Sequence, residues 1–461
     1  MKTLLKNGII VTDDFIKKSD LLIEDEKILA IGDFDGKDFD KVYDVDGKYV
    51  MPGLIDAHTH MELQQSEKYR SLDDFYTGTI AAAVGGTTTI IDHMAFGEDG
   101  ANLHNTFDTY TKLGKKSVID YAFHGVFQRV DDDILKELKH MVEEEGVLSF
   151  KGYSTYGYAL SDIDFYRIFL QMKESNGLLT IHSENDEITN YLKEKFIKEG
   201  KTDPIYHALS RPNQAEAETV DTMLNLAKLA DDAPVYIVHT STKEAIDRIK
   251  LAKDNGQKNV FCETCTQYLT LTDQMYYKDG KKEGLKYLMA PPLRKKKDNE
   301  ALWLAIKDGY VDTIATDHCP FTLKEKNDGI DDFSKAPGGA PGVEERVRVI
   351  FSEGVMKGRI SLNKFVEVMS TNPAKIFGLY PQKGSLVVGS DADITVIDPN
   401  KKEILKASNM KGKSEYSPYE NMEVKGSINL VFVRGKLVAK DNEFLGEKGY
   451  GKWLYRKRDF K

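Results

Sequence analysis

The stretch Tyr49-Val-Met-Pro-Gly-Leu-Ile-Asp-Ala-His-Thr-His60 decides how this chain is read. Its apolar run from Tyr49 to Ile55, interrupted by Pro52-Gly53, predicts a buried strand that enters a polar site. Residues two apart on a strand face the same way, so His58 and His60 project together from its carboxyl end. Neutral imidazole is the commonest side-chain ligand for zinc-like ions. A His-x-His pair is weak by itself. It gains weight because the rest of a ligand set follows along the chain.

Working outward, residues 51 to about 380 repeat a pattern of strand, polar end and helix. The strand candidates are Gly53–His60, Thr87–His93, Ser117–His124, Val147–Lys151, Leu178–His182, Val235–His239, Asn259–Cys265 and Val311–Asp317. Eight such runs separated by helical stretches predict a (β/α)8 barrel. Ser241-Thr-Lys-Glu244 reads as a capping box ahead of Ala245, Ile246 and Ile249, in a helix that Asn255-Gly256 ends. Asp162 reads as the cap of a helix carrying Phe165, Ile168, Phe169 and Met172 on one face, stopped by Gly177.

The flanks have β character. Residues 1–50 give short strands at Thr3–Leu5, Gly8–Val11, Leu21–Glu24, Lys27–Ala30 and Val42–Asp46, with Glu24-Asp25-Glu26-Lys27 as a hairpin turn. After a helix opened by Thr371-Asn372-Pro373, Gly384–Asp398 predicts two short strands and Gly426–Val438 another pair. These are expected to join the N-terminal strands in one small discontinuous β-sandwich. The division is then 1–50 and 381–445 for the sandwich, 51–380 for the barrel, and 446–461 as a polar tail.

Composition narrows the function. Lys+Arg 64 against Asp+Glu 74 leaves a net charge of −10, which disfavours nucleic acid or an anionic membrane as partner. No apolar run is long enough to span a bilayer, and the strand-like segments straight after Lys2 read as no secretory leader. Cys262, Cys265 and Cys319 cannot build a disulfide framework, so a reducing cytoplasm is expected.

In barrels of this kind chemistry sits at the carboxyl ends of the strands. Collecting those side chains yields His58, His60, Lys151, His182, His239 and Asp317. Four histidines and one aspartate can hold two divalent ions, but closely spaced dications need a bridging anion. Lys151 is the odd member, because a free amine of pKa about 10.4 is under ~0.1% neutral at pH 7. Reaction of the neutral amine with CO2 resolves this: the carbamate turns a cation into a bridging anion.

Together with that set, Gly53–His60, Ser149-Phe-Lys151, Ile181-His182-Ser-Glu-Asn185, Val238-His239-Thr-Ser241, Glu263-Thr-Cys-Thr-Gln-Tyr268 and Ala315-Thr-Asp-His-Cys-Pro320 resemble the hydantoinase/dihydropyrimidinase branch of the amidohydrolase superfamily. The likeness spans nearly the whole chain. Gly85–Met94, His207–Pro212 and Pro381–Gly384 most resemble its bacterial D-phenylhydantoinases. The resemblance implies a carboxylated Lys151, one ion on His58, His60 and Asp317, and the other on His182 and His239. It also implies a hydroxide bridging the two ions as nucleophile, since coordination brings a water pKa from 15.7 towards roughly 7. Asp317 would take the hydroxide proton and pass it to the leaving nitrogen, while Tyr156 donates to the developing oxyanion. The implied reaction opens a 5-substituted hydantoin to an N-carbamoyl amino acid, with dihydropyrimidinase action on dihydrouracil or dihydrothymine as the alternative. A homotetramer is implied as well.

Two substrate-contact positions depart from the family pattern: Ala290 stands where Ser is usual before Pro291-Pro-Leu-Arg294, and Gly338 where Asn is usual. Such positions meet the ring largely through main-chain groups, so the chemistry is expected to survive. Met61–Asp73 and Gly152–Asp162 would line the pocket for the ring substituent, and Tyr153, Tyr156 and Tyr158 favour an aromatic or apolar group. Zinc is the first expectation for the metal, with manganese, iron or cobalt as alternatives. His93, His104, His124 and His140 read as core or surface residues, His318 as structural, Cys262-Glu-Thr-Cys265 as no metal motif, and Arg294–Asp298 as a solvated helix start. A non-enzymatic scaffold would have lost ligands that are present here, and a mononuclear deaminase would leave Lys151 unexplained.

Overall fold

Eight parallel strands follow one another in sheet order: Leu54–Thr59 (β1), Thr87–His93 (β2), Asp120–Val126 (β3), Ser149–Tyr153 (β4), Leu178–His182 (β5), Val235–Ile237 (β6), Val260–Cys265 (β7) and Thr313–Ala315 (β8). The computed structural model describes residues 1–35, 38–278 and 280–460. Helices between the strands cover the sheet, so the strands are buried on both faces and read as apolar, β-branched runs such as Thr87-Thr-Thr-Ile-Ile91. The expected (β/α)8 barrel is the observed fold.

Closure between β8 and β1 is made by few bonds. Asp317 N–H donates to His58 C=O (2.9 Å) and His60 N–H to His318 C=O (3.0 Å). Just below, the Thr316 hydroxyl donates to Asp56 (2.7 Å), while the fully buried Arg346 donates to the carbonyls of Ile55 and Ile314 (2.8 Å each).

The terminal segments build two further sheets. One has four strands, Lys27–Gly32, Asp20–Glu24, Lys2–Lys6 and Lys41–Asp44; the other has seven, drawn from Ile9–Lys18, Tyr49–Pro52, Ile394–Ile404 and Glu423–Phe444. Leu5, Leu21, Ile23 and Ile28 meet Val50, Ile394, Val396 and Leu430 in one apolar cluster between them. Asp25, at φ 53°, supplies the left-handed residue of the hairpin that lacks glycine.

Several local expectations are corrected. Tyr49 to Ile55 is not one strand: Tyr49–Pro52 pairs with Ile394–Ile397 in the terminal sheet, and the barrel strand begins at Leu54. Gly53 carries the crossing, where a Cβ would meet Thr88 Oγ1 at 2.1 Å. Ser161, not Asp162, caps its helix, and Asn176, at φ 57°, ends it ahead of Gly177. Thr242, not Ser241, caps the helix Lys243–Asp254, accepting from Ala245 N–H at 3.1 Å, while Ser241 is engaged by Glu216 and Arg294. Arg294 is buried against Glu216 (3.0 Å) rather than solvated. Thr371-Asn372-Pro373 lies inside a continuous helical run from Leu362 to Ile376, a wide π turn preceding the proline that has no N–H to give. Within Gly384–Asp398 there is one strand, which starts at Ile394, rather than two.

The segment expected to be a polar tail is docked. Tyr121 N–H donates to Lys452 C=O (3.0 Å), and Leu454 N–H donates back to Tyr121 (2.9 Å). Arg456 is 0% exposed and donates to Ser149 Oγ (2.9 Å) and to Phe123 C=O. Leu454 and Phe460 join Ile55, Ile91, Ala122 and Phe377 in an apolar layer that fills the amino-terminal end of the barrel. Alternating apolar and basic residues made this stretch look solvated; its apolar members face inward. Among the described residues no helix is long and apolar enough to cross a membrane. Trp453 packs 5.1 Å from the Phe123 ring and 5.5 Å from Phe107. Trp453→Ala is expected to lower the unfolding free energy by about 3 kcal/mol, read from the urea midpoint; an unchanged midpoint would mean the segment contributes no packing.

Candidate metal centre and active site

Each side chain of the expected set stands on or just beyond the carboxyl half of a barrel strand. His58 lies in β1 and His60 follows it; Lys151 is in β4, His182 ends β5, and His239 and Asp317 each lie two residues past β6 and β8. All six, with Tyr156, Ala290 and Gly338, line one cavity of about 640 Å³. The structure therefore brings together every site residue expected from sequence.

Asp317 Oδ1 sits 3.2 Å from His58 Nε2 and 2.9 Å from His60 Nε2. Burial pushes the Asp317 carboxyl up, but the two imidazoles outweigh it and hold it well below the usual range. His60 is pushed down to about 4 by burial, and burial likewise lowers His182 and His239, so these rings are neutral at pH 7. Neutral imidazole and ionised carboxylate are the forms that bind a metal. Lys151 is 1% exposed, and burial lowers its amine to about 8. Among the described residues it has no hydrogen-bond or ion-pair partner; the Tyr153 ring lies 5.4 Å from its Nζ. An unpaired buried lysine, and a buried His58 Nε2 that faces Asp317 without a well-formed hydrogen bond, are what a donor set shaped for cations leaves behind.

Three of these residues sit in the left-handed region without being glycine: Tyr156 at φ 74°, His239 at φ 39° and Asp317 at φ 56°. Such backbone costs on the order of 1–3 kcal/mol per residue and persists only where surrounding structure imposes it.

Supporting groups that sequence reading missed fix the set. Glu263, in the middle of β7, binds His58 Nδ1 at 2.6 Å and accepts from His239 N–H at 2.9 Å, so one carboxylate orients residues of both expected ion sites. It lay inside the Cys262–Cys265 motif, and an acid within an apolar strand was its signal; Cys262 itself is buried, its thiol pushed up to about 12. Asp92 grips both sides of His60, accepting from the Thr59 hydroxyl (2.6 Å) and Met61 N–H (2.8 Å). Glu184 takes His182 Nε2 at 2.9 Å and Arg211 at 2.6 Å, which leaves His182 Nδ1 for the cavity, and the Arg211 guanidinium lies 5.9 Å from the Tyr156 ring.

His93 is a core residue as expected, buried with its ring 4.2 Å from His58 and from His124 and neither nitrogen hydrogen-bonded; it packs behind His58. His318 is structural as expected, bonded to Asp73 (3.2 Å) and to the N–H of Gly342 (3.1 Å). Two long-range ties left no local trace in the sequence. Lys326, 1% exposed, donates to Leu288 C=O (2.8 Å) and Pro337 C=O (2.9 Å), clamping the Ala290 loop to the Gly338 loop. Gln65 reaches Gly338 C=O at 2.8 Å.

The family model for amidohydrolases matches residues 49–438, the barrel together with much of the C-terminal sheet. The chain belongs to the amidohydrolase family. It is 44% identical over 460 residues to a D-phenylhydantoinase of Escherichia coli O1:K1 / APEC, covering 99% of this chain and 98% of that one. A solved dihydropyrimidinase from Brevibacillus agri NCHU1002 is 40% identical with a TM-score of 0.96 over 99% of each chain. A D-hydantoinase from a Bacillus sp. AR9 is 39% identical with a TM-score of 0.95, covering 98% of this chain and 99% of that one. Relatives named for hydantoins and for dihydropyrimidines thus both lie near this amidohydrolase. Replacing Glu263 by Gln should lower metal affinity about 10–100-fold, because His58 loses the carboxylate that orients it; zinc retained after dialysis against graded chelator measures this.

Proposed function

We propose that the chain is a metal-dependent cyclic amidase that opens 5-substituted, preferably aromatic, hydantoins to N-carbamoyl amino acids. The observation that carries this reading is the single cavity in which the donor set, Tyr156 and the loops of Ala290 and Gly338 face one another. His58, His60 and Asp317 would hold one divalent ion, His182 and His239 a second, and Lys151, carboxylated on Nζ, would bridge them. Two such ions lower the pKa of a water and polarise the amide carbonyl. The set suits zinc first, with manganese, iron or cobalt as alternatives, since imidazole and carboxylate ligands accept all four.

Carboxylation is the reaction of the neutral Lys151 amine with CO2, forming an N–C bond and releasing one proton. Burial makes this accessible: with a pKa of about 8, roughly a tenth of the amine is neutral at pH 7. Asp317, between His58 and His60, accepts a proton from the attacking water and returns it to the ring nitrogen as the C–N bond breaks. Tyr156 donates its hydroxyl to the carbonyl oxygen as negative charge develops. Main-chain groups of Ala290 and Gly338, spaced by Lys326, hold the ring imide. Neither substitution removes a main-chain group, and a Cβ at Gly338 would meet nothing within 4 Å.

The choice of hydantoin over dihydrouracil rests on the pocket wall. Phe96 packs 5.3 Å from Tyr153 and 4.7 Å from Tyr158, an aromatic surface that an unsubstituted dihydrouracil would leave uncovered. A homotetramer in a reducing cytoplasm completes the reading; the free, buried state of Cys262, Cys265 and Cys319 and the family resemblance support it.

With zinc or manganese and bicarbonate supplied, kcat/KM for D-5-phenylhydantoin should exceed that for 5,6-dihydrouracil by about ten-fold or more. The reverse order would assign the chain to dihydropyrimidines. Metal-free, decarboxylated protein should regain activity faster as pH rises through about 8 at fixed CO2, because only the neutral amine reacts. A reactivation rate independent of pH between 6 and about 9 would remove Lys151 carboxylation from the scheme.

A further inference from the structure

The helices Leu103–Gly114 and Asp132–Glu143 lie on the outside of the barrel, and ligand-type groups converge where they meet. His104, in the first turn of one helix, brings Nε2 to 2.6 Å from Glu145 Oε1. His140, in the last turn of the other, brings Nε2 to 3.5 Å from the same oxygen. One donor atom from each of these three residues lies within 4.8 Å of the others. None of them lines the catalytic cavity.

The His104 ring is also held from behind. Its Nδ1 bonds Glu137, whose carboxylate accepts the main-chain N–H groups of Leu103 and His104 at 3.0 Å each. A carboxylate on Nδ1 fixes the tautomer whose Nε2 lone pair is free, which is how metal-bound histidines are oriented. Histidine and glutamate five apart across a helix end, with a third ligand from a neighbouring helix, make a small chelate with a coordination position left for water. Two imidazoles and a carboxylate suit a borderline cation and not calcium or magnesium, which take oxygen ligands.

We propose that His104, His140 and Glu145 form a separate site for a zinc-class divalent ion that ties these two helices together. Bound there, the ion replaces the proton shared between His104 Nε2 and Glu145, and it adds a second tie between helices that Glu137 already joins. The site is independent of the hydrolytic reading: it neither uses nor changes the groups in the cavity.

The test counts metal on the full chain. Wild type, His140→Ala and Glu145→Gln, each with its active-site metals loaded, are equilibrated with Zn²⁺ alone, desalted, and assayed for zinc by mass spectrometry. Wild type is expected to retain one zinc per chain more than either variant, with the same kcat/KM in all three. With Co²⁺ in place of Zn²⁺ in that equilibration, wild type should develop a visible absorption band at this site that both variants lack. Equal zinc counts in the three proteins would overturn the proposal, leaving His104 as an imidazolium shared by Glu137 and Glu145. Glu145→Gln keeps shape and hydrogen bonding, so its zinc count decides the matter if His140→Ala fails to fold; unchanged kcat/KM reports that the variant is intact.

Discussion

The eight-stranded parallel sheet closes by bringing its first and last strands together, which pairs N–H and C=O groups that an open edge would leave without partners. Here that seam is short, and its main-chain bonds join Asp317 to His58 and His60 to His318, three of which carry side chains of the site. Below it, Asp56, Thr316 and Arg346 pin the two strands from the side. The left-handed turn at Asp317 follows from this seam: β8 ends at Ala315, the chain must still reach His58, and the carboxylate is thereby aimed between two imidazoles. Barrel closure and the geometry of the proposed ion site are one constraint.

Burial then sets the electrostatics. Lys151 lines the cavity with no ion-pair partner among the described residues, and burial lowers its amine, whereas His58 is gripped by Glu263 and faces Asp317. Removing charges from water is costly unless they are paired. Most buried charges in this chain are indeed paired, as Lys383 is with Asp391 (3.0 Å) and Asp393 (2.8 Å) where barrel and terminal sheets meet. Among the described residues Lys326 and Arg456 are met instead by uncharged oxygens, and Lys151 by neither kind of partner.

The ends of the chain hold the barrel's other mouth. Leu454, Arg456 and Phe460 close the amino-terminal end, so the site opens on one side only, and the terminal sheets are joined to the barrel through Gly53 and the Lys383 cluster. The cavity thereby sits among the loops at the carboxyl end, where Lys326 and Gln65 set the spacing of the Ala290 and Gly338 loops.

By itself the sequence determined the strand–helix alternation, the eight-fold count and the six ligand-type residues, because strand period, strand-end chemistry and ligand type are local properties. It also marked Tyr156, Ala290 and Gly338 through the family pattern. Only the tertiary structure decided where Tyr49–Ile55 divides, that the segment after 446 is docked, and that Glu263, Asp92, Glu184 and Lys326 serve the site. The physical reason is the same in each case. A buried acid or lysine has a role only through its partner, and the partners lie from two to more than two hundred residues away; His58 and Glu263 are separated by 205 positions. Period and residue type show which side chains want a partner, while the fold alone shows which partner they have.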